Sequence, residues 1–121
     1  MPLTKKPVTG MKDITPAEMQ IREYVMNQIR ETYKSFGFSQ IETPCVEHIE
    51  NLTSKQGGDN EKLIFKVLKR GDKLNLETAQ DENDLTDSGL RYDLTLPLSR
   101  YYANNASSLP SPFKALQMGS V

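Results

Sequence analysis

This chain of 121 residues contains no tryptophan, one cysteine and one histidine, and its positive and negative charges nearly balance. Because Cys45 is the single cysteine, an internal disulfide is excluded, and the chain is compatible with a reducing compartment. No nucleophile signature surrounds Cys45, so we expect its side chain to pack against other residues. The single histidine, His48, has no partner for a catalytic base or a metal site, so we expect it at the surface or in an interface. A net charge of -1 gives no sign of a nucleic-acid-binding surface.

Long apolar runs are also missing from the sequence. No stretch is long enough for a signal peptide or a membrane span, so we expect a cytoplasmic protein. Hydrophobic residues make up 36% of the chain, which is below the usual range for a globular protein. The length suits one domain or part of one, and the low apolar content fits a piece of a larger fold or a chain with a polar insert.

The clearest pattern that is present predicts a helix over residues 15–36. Thr15-Pro16-Ala17-Glu18 is a capping box with proline in the first helical position. Apolar residues then recur at spacings of three, four and seven and define one face: Met19, Val25, Met26, Ile29, Tyr33 and Phe36. Gly37 is suited to end the helix in a left-handed conformation.

The rest of the sequence predicts shorter elements, and together they indicate an α+β fold with a partial antiparallel sheet and flanking helices. The predicted elements are an edge strand over 38–42 before Pro44, a helix over 46–54, a turn-rich loop over 56–60, a β-hairpin of 63–67 and 74–76 turning at Gly71, an acidic mobile loop over 77–87, a strand over 90–92, a helix over 95–105 and a strand over 113–118. The acidic loop shows no recognisable pattern of metal ligands, so no metal site is expected there.

The most informative segment runs from Leu90 to Tyr101, where a strand ends and a helix opens. This junction places the carboxylate of Asp93 and the hydroxyl of Thr95 two residues apart. Two such oxygen groups can bind an ammonium group, the carboxylate supplying charge and the hydroxyl fixing direction. The same residues also suit an ordinary helix start, with Thr95 as the cap and Pro97 in the first turn, so local physics leaves both interpretations open.

Four segments, in order along the chain, resemble the histidyl-tRNA synthetase family of class II aminoacyl-tRNA synthetases. Gly10-Met11-Lys12-Asp13 is similar to the N-terminal Gly-x-x-Asp stretch of that family, and residues 36–44 resemble class II motif 1. Arg91-Tyr92-Asp93-Leu94-Thr95 resembles a signature that contributes to the amino-acid pocket. Residues 113–121 resemble the first strand of motif 2, so the resemblance spans nearly the whole chain.

This resemblance implies that residues 1–121 form the N-terminal part of a class II catalytic domain, from motif 1 through the start of motif 2. The parent enzyme would be a histidine–tRNA ligase that uses ATP and Mg²⁺ to activate histidine and then transfers it to tRNA(His). It would work as a homodimer whose interface includes residues near 20–45. Asp93 and Thr95 would hold the α-ammonium group of histidine. The motif 2 arginine, motif 3 and the anticodon-binding domain are expected elsewhere, so these residues alone would be inactive, with no catalytic residue, no metal ligand and no bound cofactor.

Two other functions remain open at this stage. The regulatory subunit of ATP phosphoribosyltransferase, a non-catalytic relative, shares this domain and a similar Asp-x-Thr segment. A plain dimerisation module would bind no substrate at all. The role of Arg91 is open as well, since it could hold Asp93 or pack elsewhere, and a structural ion pair is the favoured interpretation.

Overall fold

The computed structural model describes residues 1–53 and 59–121, so most of the turn-rich loop expected over 56–60 lies outside the described residues. The chain has the α+β fold that the sequence predicts. Its elements, in order, are α1 (Pro16–Ser35), β1 (Ser39–Gln40), β2 (Val46–His48), α2 (Ile49–Leu52), β3 (Lys66–Leu68), α3 (Glu82–Leu85), β4 (Thr86–Leu90), α4 (Thr95–Asn105) and β5 (Ala115–Leu116). The chain divides into two compact units, Met1–Ser39 and Gln40–Val121.

The first unit contains α1, whose start matches the prediction. The Thr15 amide donates to Oε2 of Glu18 at 3.0 Å, and the Glu18 amide donates to Oγ1 of Thr15 at 3.4 Å. This reciprocal capping box satisfies amide groups that the first helical turn would otherwise leave without partners. Pro16 follows in the first helical position, where its missing N–H costs nothing.

The end of α1 is also set by local chemistry. Gly37 has a φ of 81° and follows the C-cap residue Phe36. Its amide donates to the carbonyl of Lys34 at 3.0 Å, and the amide of Phe38 donates to the carbonyl of Tyr33 at 3.1 Å. These two bonds make a Schellman motif, and the rings of Tyr33 and Phe38 pack edge to face with centroids 4.9 Å apart. Glycine suits this position because a left-handed residue with a Cβ is strained.

The second unit is built on a three-stranded antiparallel sheet in the order β2-β4-β3. Gly89 lies at its centre, opposite Glu47 on one side and Lys66 on the other. A Cβ at this glycine would lie 2.9 Å from Cδ1 of Leu52, so its absence lets α2 pack directly on the sheet. Leu52 is 3% exposed and belongs to the small set of buried apolar side chains among the described residues, with Ile49, Pro97 and Leu116.

Three predicted elements of the second unit are wrong. The helix expected over 46–54 begins as strand β2 and becomes helical only from Ile49. The expected hairpin does not form, because β3 pairs with β4, and Gly71 opens a short 3₁₀ turn. The acidic loop expected over 77–87 contains α3, whose first amides donate to the side chain of Asp81, and then the start of β4.

The other predicted elements are confirmed in kind and differ in length. The helix predicted over 95–105 matches α4 at both ends. The strands expected over 38–42 and 113–118 shorten to β1 and β5, which pair with each other. The strand expected over 90–92 lies earlier, as β4. Within the described part of the chain, no helix is both long and apolar enough to cross a membrane.

Candidate functional site

The structure brings the two predicted site residues into direct contact at the start of α4. The hydroxyl of Thr95 donates to Oδ2 of Asp93 at 2.8 Å. The other carboxylate oxygen, Oδ1, accepts from the amide of Thr95 at 3.0 Å and more weakly from that of Leu96 at 3.5 Å. Asp93 is half-buried and Thr95 is exposed, so a ligand in solvent can reach both.

The expected helix cap is assigned to the wrong side chain. Leu94 occupies the N-cap position and makes no side-chain cap bond, while Thr95 is already the first helical residue. Asp93 caps the helix instead, since its carboxylate accepts hydrogen bonds from the first amides of α4. Pro97 lies in the first turn as predicted and is fully buried. The helix-start interpretation is therefore right about the helix and wrong about the residue that caps it.

This arrangement leaves acceptor capacity for a cation. A carboxylate offers about four lone-pair sites, and the three bonds from within the chain leave room on Oδ2 of Asp93. Because the Thr95 hydroxyl already donates its only proton to Asp93, its oxygen can only accept hydrogen bonds from a ligand. Asp93 and Thr95 thus present two neighbouring oxygens and one negative charge, which suits an ammonium group.

Arg91, just before the pair, is held differently from the prediction. Only 7% of its surface is exposed, and its guanidinium donates from Nε to the carbonyl of Ser120 at 2.9 Å and from Nη1 to the carbonyl of Thr43 at 2.9 Å. Nη1 also contacts the carbonyl of Pro44 at 3.4 Å. The favoured ion pair is wrong, because within residues 1–53 and 59–121 Arg91 has no carboxylate partner. Carbonyl oxygens solvate its charge instead.

Two further residues connect Arg91 to the pair, and the sequence analysis missed both. The Thr43 hydroxyl accepts from Nη1 of Arg91 at 3.1 Å and donates to Oε1 of Gln117 at 3.0 Å. Nε2 of Gln117 then donates to the carbonyl of Leu94 at 2.9 Å, between the two predicted site residues. A buried threonine beside Pro44 and a glutamine just after β5 carry no motif, so only the tertiary structure reveals them.

Gly119 completes the surroundings of Arg91. A Cβ at this glycine would lie only 2.5 Å from Nη2 of Arg91. The backbone here must therefore approach the guanidinium without a side chain, which also lets the neighbouring Ser120 carbonyl accept from Nε.

Of the two remaining predicted residues, Cys45 meets the site through its backbone carbonyl, which accepts from the amide of Arg91 at 2.9 Å. Cys45 is exposed, so the expectation that it packs is wrong. His48 is at the surface, as expected, on β2. Among the described residues, no group of three or more carboxylate, histidine or cysteine side chains is placed to hold a metal ion.

Comparison with known proteins gives the context of this geometry. The family model described as histidyl-tRNA synthetase matches residues 10–121. The chain belongs to the histidyl-tRNA synthetase family. It is 44% identical over 119 residues to the histidine–tRNA ligase of Leifsonia xyli subsp. xyli (strain CTCB07), covering 95% of this chain and 28% of that protein. The chain thus spans about a quarter of the length of this relative.

Solved structures show the same relationship for the fold. The histidyl-tRNA synthetase of Nostoc sp. PCC 7120 superposes with a TM-score of 0.73 at 29% identity, covering 98% of this chain and 25% of that one. A Bacillus halodurans C protein described as an ATP phosphoribosyltransferase regulatory subunit/histidyl-tRNA synthetase superposes with a TM-score of 0.71 at 22% identity, covering 98% of this chain and 28% of that one. The latter likeness shows a shared fold alone.

Proposed function

We propose that this chain is the N-terminal part, motif 1 through the start of motif 2, of the catalytic domain of a cytoplasmic histidine–tRNA ligase. The observation that carries the proposal is the Asp93–Thr95 pair, an accessible carboxylate and a hydroxyl with free lone pairs at a helix start. Membership of the histidyl-tRNA synthetase family supports it. The activity itself belongs to a full-length protein that contains residues 1–121.

In this proposal Asp93 and Thr95 bind the α-ammonium group of histidine. One N–H of the ammonium donates to Oδ2 of Asp93 and a second donates to Oγ1 of Thr95. Because Asp93 also accepts from the amides of α4, its carboxylate cannot rotate freely, and the ammonium meets a fixed acceptor. Fixing the amino end of histidine orients its carboxylate, which is the group that attacks the α-phosphorus of ATP.

ATP and Mg²⁺ are required by the proposed reaction, and we assign neither to these residues. Among the residues that the structure describes, no three carboxylate, histidine or cysteine side chains converge to hold a metal ion. Charge neutralisation on the phosphates would come from parts of the ligase that lie beyond the quarter this chain covers. The contribution of residues 1–121 is the binding and orientation of histidine.

The proposed enzyme is a homodimer whose interface includes the apolar face of α1. Within the described residues, α1 has no buried side chain, and Ile29 and Phe36 on this face are 38% and 67% exposed. A regular apolar stripe along a helix of 20 residues favours burial against another surface. A second copy of the same helix is the partner we propose.

Pyrophosphate exchange tests the proposed activity. The full-length protein is incubated with ATP, labelled pyrophosphate and each of the twenty amino acids in turn. We expect exchange that depends on histidine and then transfer of histidine to tRNA(His). A folded full-length protein that exchanges with no amino acid would overturn the ligase and support a regulatory or purely structural role.

A further inference from the structure

The hydrogen bonds behind the Asp93–Thr95 pair form one directed chain. Arg91 has no acceptor atom, so its Nη1 must donate to the Thr43 hydroxyl. That hydroxyl therefore keeps its single proton for Oε1 of Gln117. Gln117 is then oriented with its NH₂ towards the carbonyl of Leu94. Every donor in the series is assigned by the one before it, so the amide orientation of Gln117 follows from the chemistry of Arg91.

We propose that this series, the Arg91 relay of Arg91, Thr43 and Gln117, positions the ammonium-binding pair for histidine. The inference rests on the proposed function. Its end point is the carbonyl of Leu94, which belongs to the peptide unit that joins Leu94 to Thr95. Holding that carbonyl fixes the plane of this peptide and therefore the direction of the Thr95 amide, which donates to Oδ1 of Asp93 at 3.0 Å. The three side chains are positioning residues, since each acts on the ligand through the backbone.

Burial and long-range hydrogen bonds restrain the three side chains of the Arg91 relay. Arg91 and Thr43 are 7% and 6% exposed, so water has little access to replace their bonds. The residues come from three distant parts of the sequence: Thr43 is 48 positions from Arg91, and Gln117 is 23 positions from Leu94. Bonds between distant segments restrain the site more than bonds within one loop, because each segment is also held by its own neighbours.

A helix start alone does not require this arrangement. The first amides of α4 are already satisfied by Asp93, and Pro97 is already buried. The bond from Gln117 to Leu94 adds no cap, since the N-cap carbonyl also accepts from the amide of Leu98 within the helix at 3.2 Å. What the added bond supplies is a fixed orientation of the Leu94–Thr95 peptide, whose amide donates to Asp93.

The test compares Thr43→Val with Thr43→Ser in the full-length protein. Valine keeps the shape of threonine and removes the hydroxyl, whereas serine keeps the hydroxyl and removes a methyl group. Histidine-dependent pyrophosphate exchange gives the KM for histidine and the KM for ATP, and thermal unfolding gives Tm. We expect Thr43→Val to raise the KM for histidine about five- to tenfold, the effect of one lost hydrogen bond. The KM for ATP should change less than about twofold on the same scale.

Thr43→Ser should restore the KM for histidine to within about twofold of the wild type, well below the effect of one hydrogen bond. Gln117→Met, which removes the bond to Leu94 at a less buried position, should reproduce the effect of Thr43→Val. An unchanged KM for histidine in folded Thr43→Val and Gln117→Met variants, even with a lowered Tm, would overturn the relay and leave a purely structural network.

The same assay separates the relay from the function on which it rests. Asp93→Asn is measured beside the two relay variants. A raised KM for histidine in Asp93→Asn with wild-type values in Thr43→Val and Gln117→Met overturns the relay and leaves the ligase standing. Absence of histidine-dependent exchange in the folded wild-type protein overturns both.

Discussion

Arg91 and Asp93 lie two residues apart, and the structure uses their charges in different ways. The guanidinium of Arg91 is buried and donates to carbonyl and hydroxyl oxygens, which replace the water it has lost. The carboxylate of Asp93 is half-buried, caps a helix and keeps acceptor capacity towards solvent. The first arrangement holds the backbone together, and the second suits a binding group.

Gly119→Ala tests the packing around Arg91. The added methyl group would lie 2.5 Å from Nη2, so the guanidinium must shift and weaken its bonds to Thr43 and Ser120. We expect the free energy of unfolding of the full-length protein to fall by roughly 1–3 kcal/mol, measured in urea. Ser120→Ala is the matched control, because it keeps the carbonyl that accepts from Arg91. Equal stability of Gly119→Ala and the control would contradict this packing.

Glu18 provides a prediction about pH. A hydrogen bond from Lys12, with further bonds from the amide and hydroxyl of Thr15, lowers the pKa of Glu18 from its ordinary value of 4.5 to about 2. A lowered pKa means that the capping interaction is fully present above pH 4.5 and is lost as the pH falls towards 2. Glu18 is exposed to solvent, so salt should weaken the effect.

Carbon-detected NMR titration of the Glu18 carboxylate measures this pKa directly. Lys12→Met should raise the pKa part of the way back, since the bonds from Thr15 remain. Lys5→Met, which removes an exposed lysine that precedes α1, is the control and should leave the titration unchanged. A wild-type Glu18 that titrates at its ordinary value would show that the Lys12 bond does not persist in solution.

Among the elements, the ends of α1 and α4 were predictable and the pairing of the strands was not. Thr15, Glu18 and Gly37 are local signals, and each acts within a few residues of its own position. The partner of β3 is β4, some twenty residues away, because Gly89 allows close packing there that no local pattern reveals. Residues 46–52 change from strand to helix at Ile49, so one periodicity cannot describe them.

The same difference between local and long-range signals separates the residues of the candidate site that were predictable from those that were not. Asp93 and Thr95 were predictable because they are close in sequence and resemble a known signature. Thr43 and Gln117 could not be assigned, since they reach the site only when three distant segments meet. The partners of Arg91 were mispredicted because carbonyl oxygens, which every residue carries, replaced the carboxylate that a charge pattern suggests.

A second long-range contact joins strand β2 to helix α4 and carries its own prediction. Nε of Arg100 donates to Oε1 and Oε2 of Glu47 at 3.0 and 2.7 Å, and the Glu47 side chain is only 2% exposed. Arg100→Met leaves a buried carboxylate without its cation, so we expect a loss of about 2–3 kcal/mol in the free energy of unfolding.

Urea unfolding of the full-length protein measures this loss, with Arg70→Met at an exposed position as the control. The control should change stability by less than about 0.5 kcal/mol. Adding Glu47→Gln to Arg100→Met should recover part of the loss, because the second change removes the uncompensated charge. A loss no larger than that of Arg70→Met would contradict a stabilising pair.

At the scale of the whole molecule, the described residues have few buried apolar side chains and a helix, α1, whose apolar face is exposed. Within the described residues its buried apolar side chains lie in the second unit, while α1 in the first unit buries none. This pattern is understandable if the chain is part of a larger assembly, as the proposed homodimeric ligase requires. The chain's length of about a quarter of its relatives agrees with that view.

Sedimentation of the full-length protein tests the proposed dimer. Ile29→Asp places a charge in the apolar face of α1 and should shift the protein from dimer towards monomer, because an unpaired charge is costly to bury. Gln20→Asp adds the same charge on the opposite side of the helix, nine residues or two and a half turns away, and should leave the dimer intact. A dimer equally stable in both variants would exclude this face from the interface.

The central claim is that Asp93 and Thr95 bind the α-ammonium group of histidine, and a binding cycle tests it most directly. Dissociation constants of L-histidine and of 3-(imidazol-4-yl)propionate, which lacks only the amino group, are measured by calorimetry for the full-length wild type and Asp93→Asn. The account predicts that Asp93→Asn weakens L-histidine about ten- to a hundredfold, the value of a charged hydrogen bond, and leaves the deaminated ligand within about twofold. Equal losses for both ligands, or no loss for either in a folded variant, would contradict the claim.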